Sequence, residues 1–367
     1  MGKNIVICCD GTGNEFGDRN SNVVKLYSTL LIDGVQQVGY YHPGVGTMGA
    51  PAARGRLEKA WSIVAGMAFG AGLLDNVADA YHYLMECYAE GDRVYIFGFS
   101  RGAYTARALA AMLHMFGLLC PGNEAQIPYI LRMFAKRSKD ADGMKDTFRV
   151  ADGFKATFSR PCPLHFAGVW DTVSSVGWIT DPLKLPYTAR NPDLRIGRHA
   201  ISMEERRCYF VNNLWGVPFP GQDIKQVWFA GVHSDIGGGY PEAESGLAKD
   251  TLEWMLREAK AVGLIVVPER EASVLGQAAP PPPAAQSTAP NPLADKHESL
   301  QGAWWLLEFL PHSYYDAATK KKKWRIPVGA LRVIPEGSTL HRSVIQRLNG
   351  RPDFRPKNLP GEYAIED

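Results

Sequence analysis

The chain has 367 residues, with 40 basic and 38 acidic side chains and a net charge of +2. A hydrophobic share of 46% excludes a mostly disordered polymer, and the charge balance lacks the basic excess of a nucleic-acid binder. The longest uncharged apolar stretch, residues 61–74, is shorter than the ~20 residues a membrane-spanning helix needs, so no integral membrane segment is expected.

The N-terminal apolar run ends at Asp10 and is no secretory signal. The expectation is synthesis in the cytoplasm, with export, where it occurs, by a route without a signal peptide. The cysteines are Cys8, Cys9, Cys87, Cys120, Cys162 and Cys208. None has CxxC or Cys/His metal spacing, which predicts reduced thiols and no metal site. Neighbouring strand positions would turn Cys8 and Cys9 to opposite faces.

Asn4–Cys9 is a short apolar run expected as a strand buried on both faces. It ends in the loop 10–14. A helix over Asn22–Leu31 is expected next, then a strand over Gln37–His42 leading into Pro43–Thr47. A helix over Asp75–Glu90, a strand over Arg93–Phe97 and a helix over Ala103–Phe116 follow. This alternation predicts a parallel α/β sheet. Further on, 124–138 reads as helical and 139–160 as polar and mixed. Leu164–Trp170 reads as a strand, 174–198 as loop, and Ala200–Phe210 as a short helix. Gln226–Val232 reads as a strand and 245–262 as an amphipathic helix. Ala278–Pro292 reads as a proline-rich mobile loop, and the tail as two β-like pieces around Lys323–Ile334.

The sharpest chemical signal is Gly98-Phe99-Ser100-Arg101-Gly102, a GxSxG turn entered from an apolar strand and left by a small-residue helix. Such a turn strains the serine backbone, and the flanking glycines relieve crowding between strand and helix. A serine alcohol needs a base and an acid to orient that base. Asp171 and His233 directly follow expected strands, in the chain order Ser, Asp, His, at the edge where open α/β sheets gather their sites. His165, His199, His297, His312 and His341 lack that context. Asp235 stays open as a rival acid, or as a cap of the glycine turn after His233. Of the two oxyanion donors, one is expected from the N–H of Arg101 and the other from Gly11 or Thr12, with the loop 43–47 as the alternative source. Asp10 is expected to fix its loop or touch substrate. A DxDGT phosphatase is excluded because Cys8 stands at the first Asp position, and no P-loop, HExxH or EF-hand spacing is present.

The set FGFSRGAYTARALA (97–110), GVWDTVSSVG (168–177), RHAISMEERR (198–207) and WFAGVHSDIGGGYPE (228–242), with CDGTGN (9–14) and PGVGT (43–47), resembles an α/β-hydrolase family. That family holds the catalytic domain of type VI secretion phospholipase effectors. The resemblance implies a mostly parallel sheet with helices on both faces, one domain over 1–367, and helical cap insertions at 120–160 and 178–225. It implies a serine hydrolase of carboxylic esters, with phospholipid as substrate and no cofactor. By motif, Ser100 is the nucleophile, His233 the base and Asp171 the acid. A hydrolase of a soluble ester, thioester or amide, and an idle binding module attached to secretion, stay open as alternatives. Effectors of this kind often add a C-terminal membrane-binding region, which is not evident here. Membrane or secretion-system contact is therefore expected to be transient. The segment 61–74 reads as core packing or as the lining of an acyl pocket, and Lys320–Lys323 as a solvated hairpin tip or a contact to anionic head groups.

Overall fold

The computed structural model describes residues 2–11, 17–44, 70–136, 141–173, 177–178, 181–182, 185–278, 287–316 and 321–367. Thr12, residues 45–47 of the PGVGT loop, residues 61–69, the proline-rich centre 279–286 and Lys320 lie outside them.

Strands β1 (Asn4–Cys9), β2 (Gln37–His42), β3 (Arg93–Phe99), β4 (Leu164–Trp170), β5 (Leu194–Ser202) and β6 (Asp223–Phe229) come first. A separate antiparallel hairpin follows, β7 (His312–Asp316) with β8 (Lys321–Arg325). Then β9 (Ser338–His341) and β10 (Tyr363–Glu366) return to the sheet. Its order is β2-β1-β3-β4-β5-β6-β9-β10, with every neighbouring pair parallel. The order reverses between β1 and β3, so a crevice is expected beside their carboxyl ends.

The strand residues alternate between two cores, as a pleated strand buried on both faces requires. Ile5, Ile7 and Cys9 join Val94 and Ile96 on one side; Val6 and Cys8 join Tyr95, Phe97 and Phe99 on the other. Helices α2 (Gly70–Cys87), α3 (Arg101–Phe116), α4 (Ile127–Ala135) and α5 (Ala141–Phe158) cover the first side. Helix α1 (Asn22–Thr29), capped where the Val24 N–H donates to Ser21 Oγ, covers the second with a later helix, α7 (Gly246–Ala261). Between them in the chain lies the short α6 (His233–Gly237). The last helices are α8 (Pro268–Val274), α9 (Trp304–Glu308) and α10 (Arg342–Gly350). The fold is α/β, a parallel sheet with helices on both faces. None of the described helices is long and apolar enough to cross a membrane.

Several expectations need correction. Ala200–Phe210 is not a helix: its first residues end β5, paired on both sides by β4 and β6. Polar residues masked this interior strand, and the structure pairs them internally. Arg198 meets Asp223 and Glu258 at 2.6 Å each, and His199 accepts the Thr172 N–H. The stretch 178–225 is therefore no helical insertion, since it contains β5. The stretch 120–160 does hold helices, including α5 where mixed structure was expected, because Ala151, Phe154 and Phe158 form a narrow apolar stripe on a polar helix. Its aromatic anchor is Phe116, which meets Phe134 and Phe154. That residue ends α3, ~24 Å along the helix from Ser100 at 1.5 Å per residue. At that end these helices pack on the helical layer beside the sheet. Of the β-like pieces expected around Lys323–Ile334, only Lys323–Arg325 is strand, as the end of β8, and 326–334 is loop and turn; the strands β7, β9 and β10 were not anticipated.

Candidate active site

β3 delivers Ser100 and α3 carries the chain away. Ser100 has φ 60° and ψ −122°, a strained conformation for a residue with a side chain. The flanking glycines allow it. A Cβ on Gly98 would stand 2.5 Å from Gly102 O, and one on Gly102 would stand 2.2 Å from Cys9 O. Strand, turn and helix can therefore close only around hydrogen atoms. Asp171, at the end of β4, also has positive φ, 37°. Its N–H donates to Ala200 O at 2.8 Å, which fastens the turn to β5.

These turns bring three side chains into one line. His233, the first residue of α6, places Nε2 at 2.8 Å from Ser100 Oγ and Nδ1 at 2.5 Å from Asp171 Oδ2. Asp171 is fully buried and His233 nearly so. The imidazole lies between Phe99, 4.6 Å centroid to centroid, and Phe210, edge-on at 4.8 Å. Phe99 needs its own room: a Cβ on Gly237 would sit 2.0 Å from the Phe99 ring. The glycine after the histidine thus sets the ring that packs on the histidine.

Sequence reading missed the residues that hold this line. Arg332 donates to Asp171 Oδ1 at 2.5 Å and Oδ2 at 3.1 Å, and its Nε donates to Phe210 O at 3.1 Å. The Ser202 N–H adds a fourth bond to Asp171, 3.0 Å, beside those from His233 and Arg332. Burial pushes the Asp171 carboxyl up, but the charge of Arg332 and the hydrogen bonds from His233 and Arg332 outweigh it and hold Asp171 well below the usual carboxylate range. Glu205 accepts the His233 N–H at 3.2 Å, and its own charge is held by Arg207 at 3.0 Å. Burial works against that charge, yet Arg207 brings the Glu205 carboxyl down to about 2. The EERR run within 198–207 was a visible signal for Glu205; nothing local marked Arg332. Replacing Arg332 with methionine leaves a buried carboxylate short of its main counter-charge. Its expected cost is about 3 kcal/mol of stability, read as a lowered Tm in thermal unfolding.

Asp235 stands apart from the His233 ring. It accepts the Val232 N–H at 3.0 Å and meets His297 Nδ1 at 2.7 Å, so it caps its turn and holds a different histidine. Asp10 is buried and fixes its loop: Ser21 Oγ donates to it at 2.5 Å, Tyr41 OH at 2.8 Å and Gly11 N–H at 2.6 Å. The Gly11 N–H is thus turned to Asp10 rather than inward as expected. Arg101 is the first residue of α3, directly after the nucleophile turn.

Residues 3–258 match the family described as T6SS phospholipase effector Tle1-like, catalytic domain. An uncharacterized protein of Saccharomyces cerevisiae is 37% identical over 230 residues, 60% of this chain and 33% of the yeast protein. The chain thus spans about a third of that relative's length. Among solved structures, an uncharacterized protein from Pseudomonas aeruginosa is similar with a TM-score of 0.43 at 21% identity, over 74% of this chain and 47% of that one. The Tle1 effector bound to the VgrG spike of the type 6 secretion system gives 0.37 at 18%, over 67% and 53%. Both structural likenesses are weak, and the assignment rests on the sequence match. That match includes Asp10, Ser100, Asp171, Glu205 and His233, and Arg332 lies beyond it. With well over half of its length matched, the chain belongs to the family of Tle1-like phospholipase effector catalytic domains.

Proposed function

We propose that the chain is a serine hydrolase that cleaves carboxylic esters of phospholipids. The observation that carries this reading is the continuous hydrogen-bonded line from Ser100 Oγ through His233 to Asp171 at the carboxyl edge of a parallel sheet. Family membership supports the lipid substrate.

Ser100 Oγ attacks the ester carbonyl carbon while its proton passes to His233 Nε2. Asp171 keeps the other imidazole proton on Nδ1 and stabilises the imidazolium that forms. The oxyanion of the tetrahedral intermediate takes the Arg101 N–H and a second donor from the Asp10–Gly13 loop, with Thr12 the candidate because Gly11 is committed to Asp10. His233 returns its proton to the leaving alcohol, and the acyl group stays on Ser100. Water then loses a proton to His233 as it attacks the acyl carbon, and His233 passes that proton to Ser100 Oγ as the acyl bond breaks and the fatty acid leaves.

The base works only as neutral imidazole. Burial pushes the His233 pKa down, and the bond and charge of Asp171 oppose this only in part, so it lies below the ordinary 6.5. Lowering it keeps the base neutral further into acid. The expected profile of kcat/KM therefore rises with pH through an inflection below 6.5 and is already flat at neutrality, as a pH series with a soluble ester will read.

Comparing phospholipid vesicles with short-chain soluble esters tests the substrate class. Release of fatty acid from vesicles, at higher efficiency than from the soluble ester, is the expected result. Hydrolysis of soluble esters with no release from any phospholipid would overturn the lipid assignment.

A further inference from the structure

An apolar surface stands exposed beside the site. Trp304, at the start of α9, meets Phe210 edge-on at 5.4 Å, and Phe210 meets His233, so α9 borders the histidine. The inner side of α9 is pinned. Glu308 is buried and accepts the Cys208 N–H at 2.6 Å and the Gly329 N–H at 2.9 Å. The outer side is not: Leu306 is 72% exposed, Phe309 59% and Leu310 46%. Two residues later the chain enters β7, whose His312 pairs with Arg325 of β8. Trp324 and Ile326, on either side of Arg325, are 58% and 55% exposed. Val328 is also exposed, and its N–H donates to Glu308 O at 3.2 Å, which closes this edge back onto α9.

Large apolar side chains gathered in this way mark a surface that meets something else. The charge around them says what. Strand β8 reads Lys-Lys-Lys-Trp-Arg, and no acidic residue occurs between Asp316 and Glu336. Lysine is depleted where proteins meet proteins. Exposed aromatic and aliphatic side chains on elements whose sequence is rich in lysine instead suit the boundary between head groups and acyl chains of an anionic bilayer. With a net charge of only +2, the chain as a whole has little attraction to such a surface, so a local one must supply it. We propose that α9 and the β7–β8 hairpin form a docking face for anionic lipid bilayers. It seats the apolar side chains among the head groups and brings the edge of the site near His233 against its substrate. The inference rests on the lipid reading above, but binding and chemistry can be measured separately.

The test uses the full chain with Ser100→Ala, sedimented with phosphatidylcholine vesicles with and without phosphatidylserine. The expected result is preferential binding to the anionic vesicles that weakens as salt rises. Combining Leu306→Ser, Phe309→Ser and Trp324→Ser, or Lys321→Gln, Lys322→Gln and Lys323→Gln, is expected to weaken it by about tenfold or more. In the active background both variants should keep their Tm and their hydrolysis of a soluble short-chain ester, which separates lost docking from misfolding. Equal binding to both vesicle types, or unchanged binding by both variants, overturns the proposal. So does a wild-type dimer that the Phe309→Ser, Trp324→Ser variant converts to monomer, since the face would then cover a second copy. Vesicle binding without esterase activity in any form would count against the serine-hydrolase reading and leave the docking face standing.

Discussion

Ser100→Ala is expected to lower ester hydrolysis by about 10⁴- to 10⁶-fold while leaving the protein folded. The size follows from the geometry. His233 Nε2 is aimed at one oxygen, Ser100 Oγ, at 2.8 Å. Without that oxygen no acyl-enzyme forms, and the imidazole can only direct water from a distance. Residual rate would come from oxyanion donors and substrate positioning, which act without the nucleophile. The fold should tolerate the change, because both residues carry a Cβ and share the strain of φ 60°. Initial-rate assays beside thermal unfolding check both halves. A loss below tenfold with an unchanged Tm would remove Ser100 from the chemistry.

Asp171→Asn is expected to cost about 10⁴-fold in kcat. Asp171 Oδ2 accepts from His233 Nδ1, and that bond fixes the tautomer that leaves Nε2 free to take a proton. An asparagine amide that turns its NH₂ toward Nδ1 favours the opposite tautomer. The change also sets a neutral amide where Arg332 expects a carboxylate. Asp235→Asn should behave differently. Asp235 binds Val232 N–H and His297, so its loss should cost about 1 kcal/mol of stability and less than about tenfold in kcat. Parallel kinetics on the two variants decides between the acids, and a larger rate loss for Asp235→Asn would reverse the assignment.

Much of this was legible in the sequence, for physical reasons. β1 and β4 were readable to the residue because strands buried on both faces are short, mainly apolar runs, and the half-buried edge strand β2 has the expected bounds as well. Ser100, Asp171 and His233 could be named because each directly follows such a run, and the end of a parallel strand is where a sheet presents its chemistry. β5 was hidden because Arg195, Arg198 and His199 interrupt its apolar pattern. β9 and β10 are only four residues each, too short to leave a pattern, and β10 is also an exposed edge strand. Arg332 was invisible for another reason. It lies 161 residues from Asp171, so the pairing is made by tertiary structure and has no local sequence signature. Near neutrality in overall charge conveyed nothing about the basic strand beside the site, because a net charge averages over position.

On the proposed mechanism Ser100 is an activated nucleophile. Its most direct measurement is labelling with a fluorophosphonate probe, followed by peptide mapping of the adduct. The expected result is one stoichiometric adduct on Ser100, absent from Ser100→Ala and strongly slowed in His233→Ala. An unlabelled wild type, or a Ser100→Ala protein that labels as fast as wild type, would contradict it.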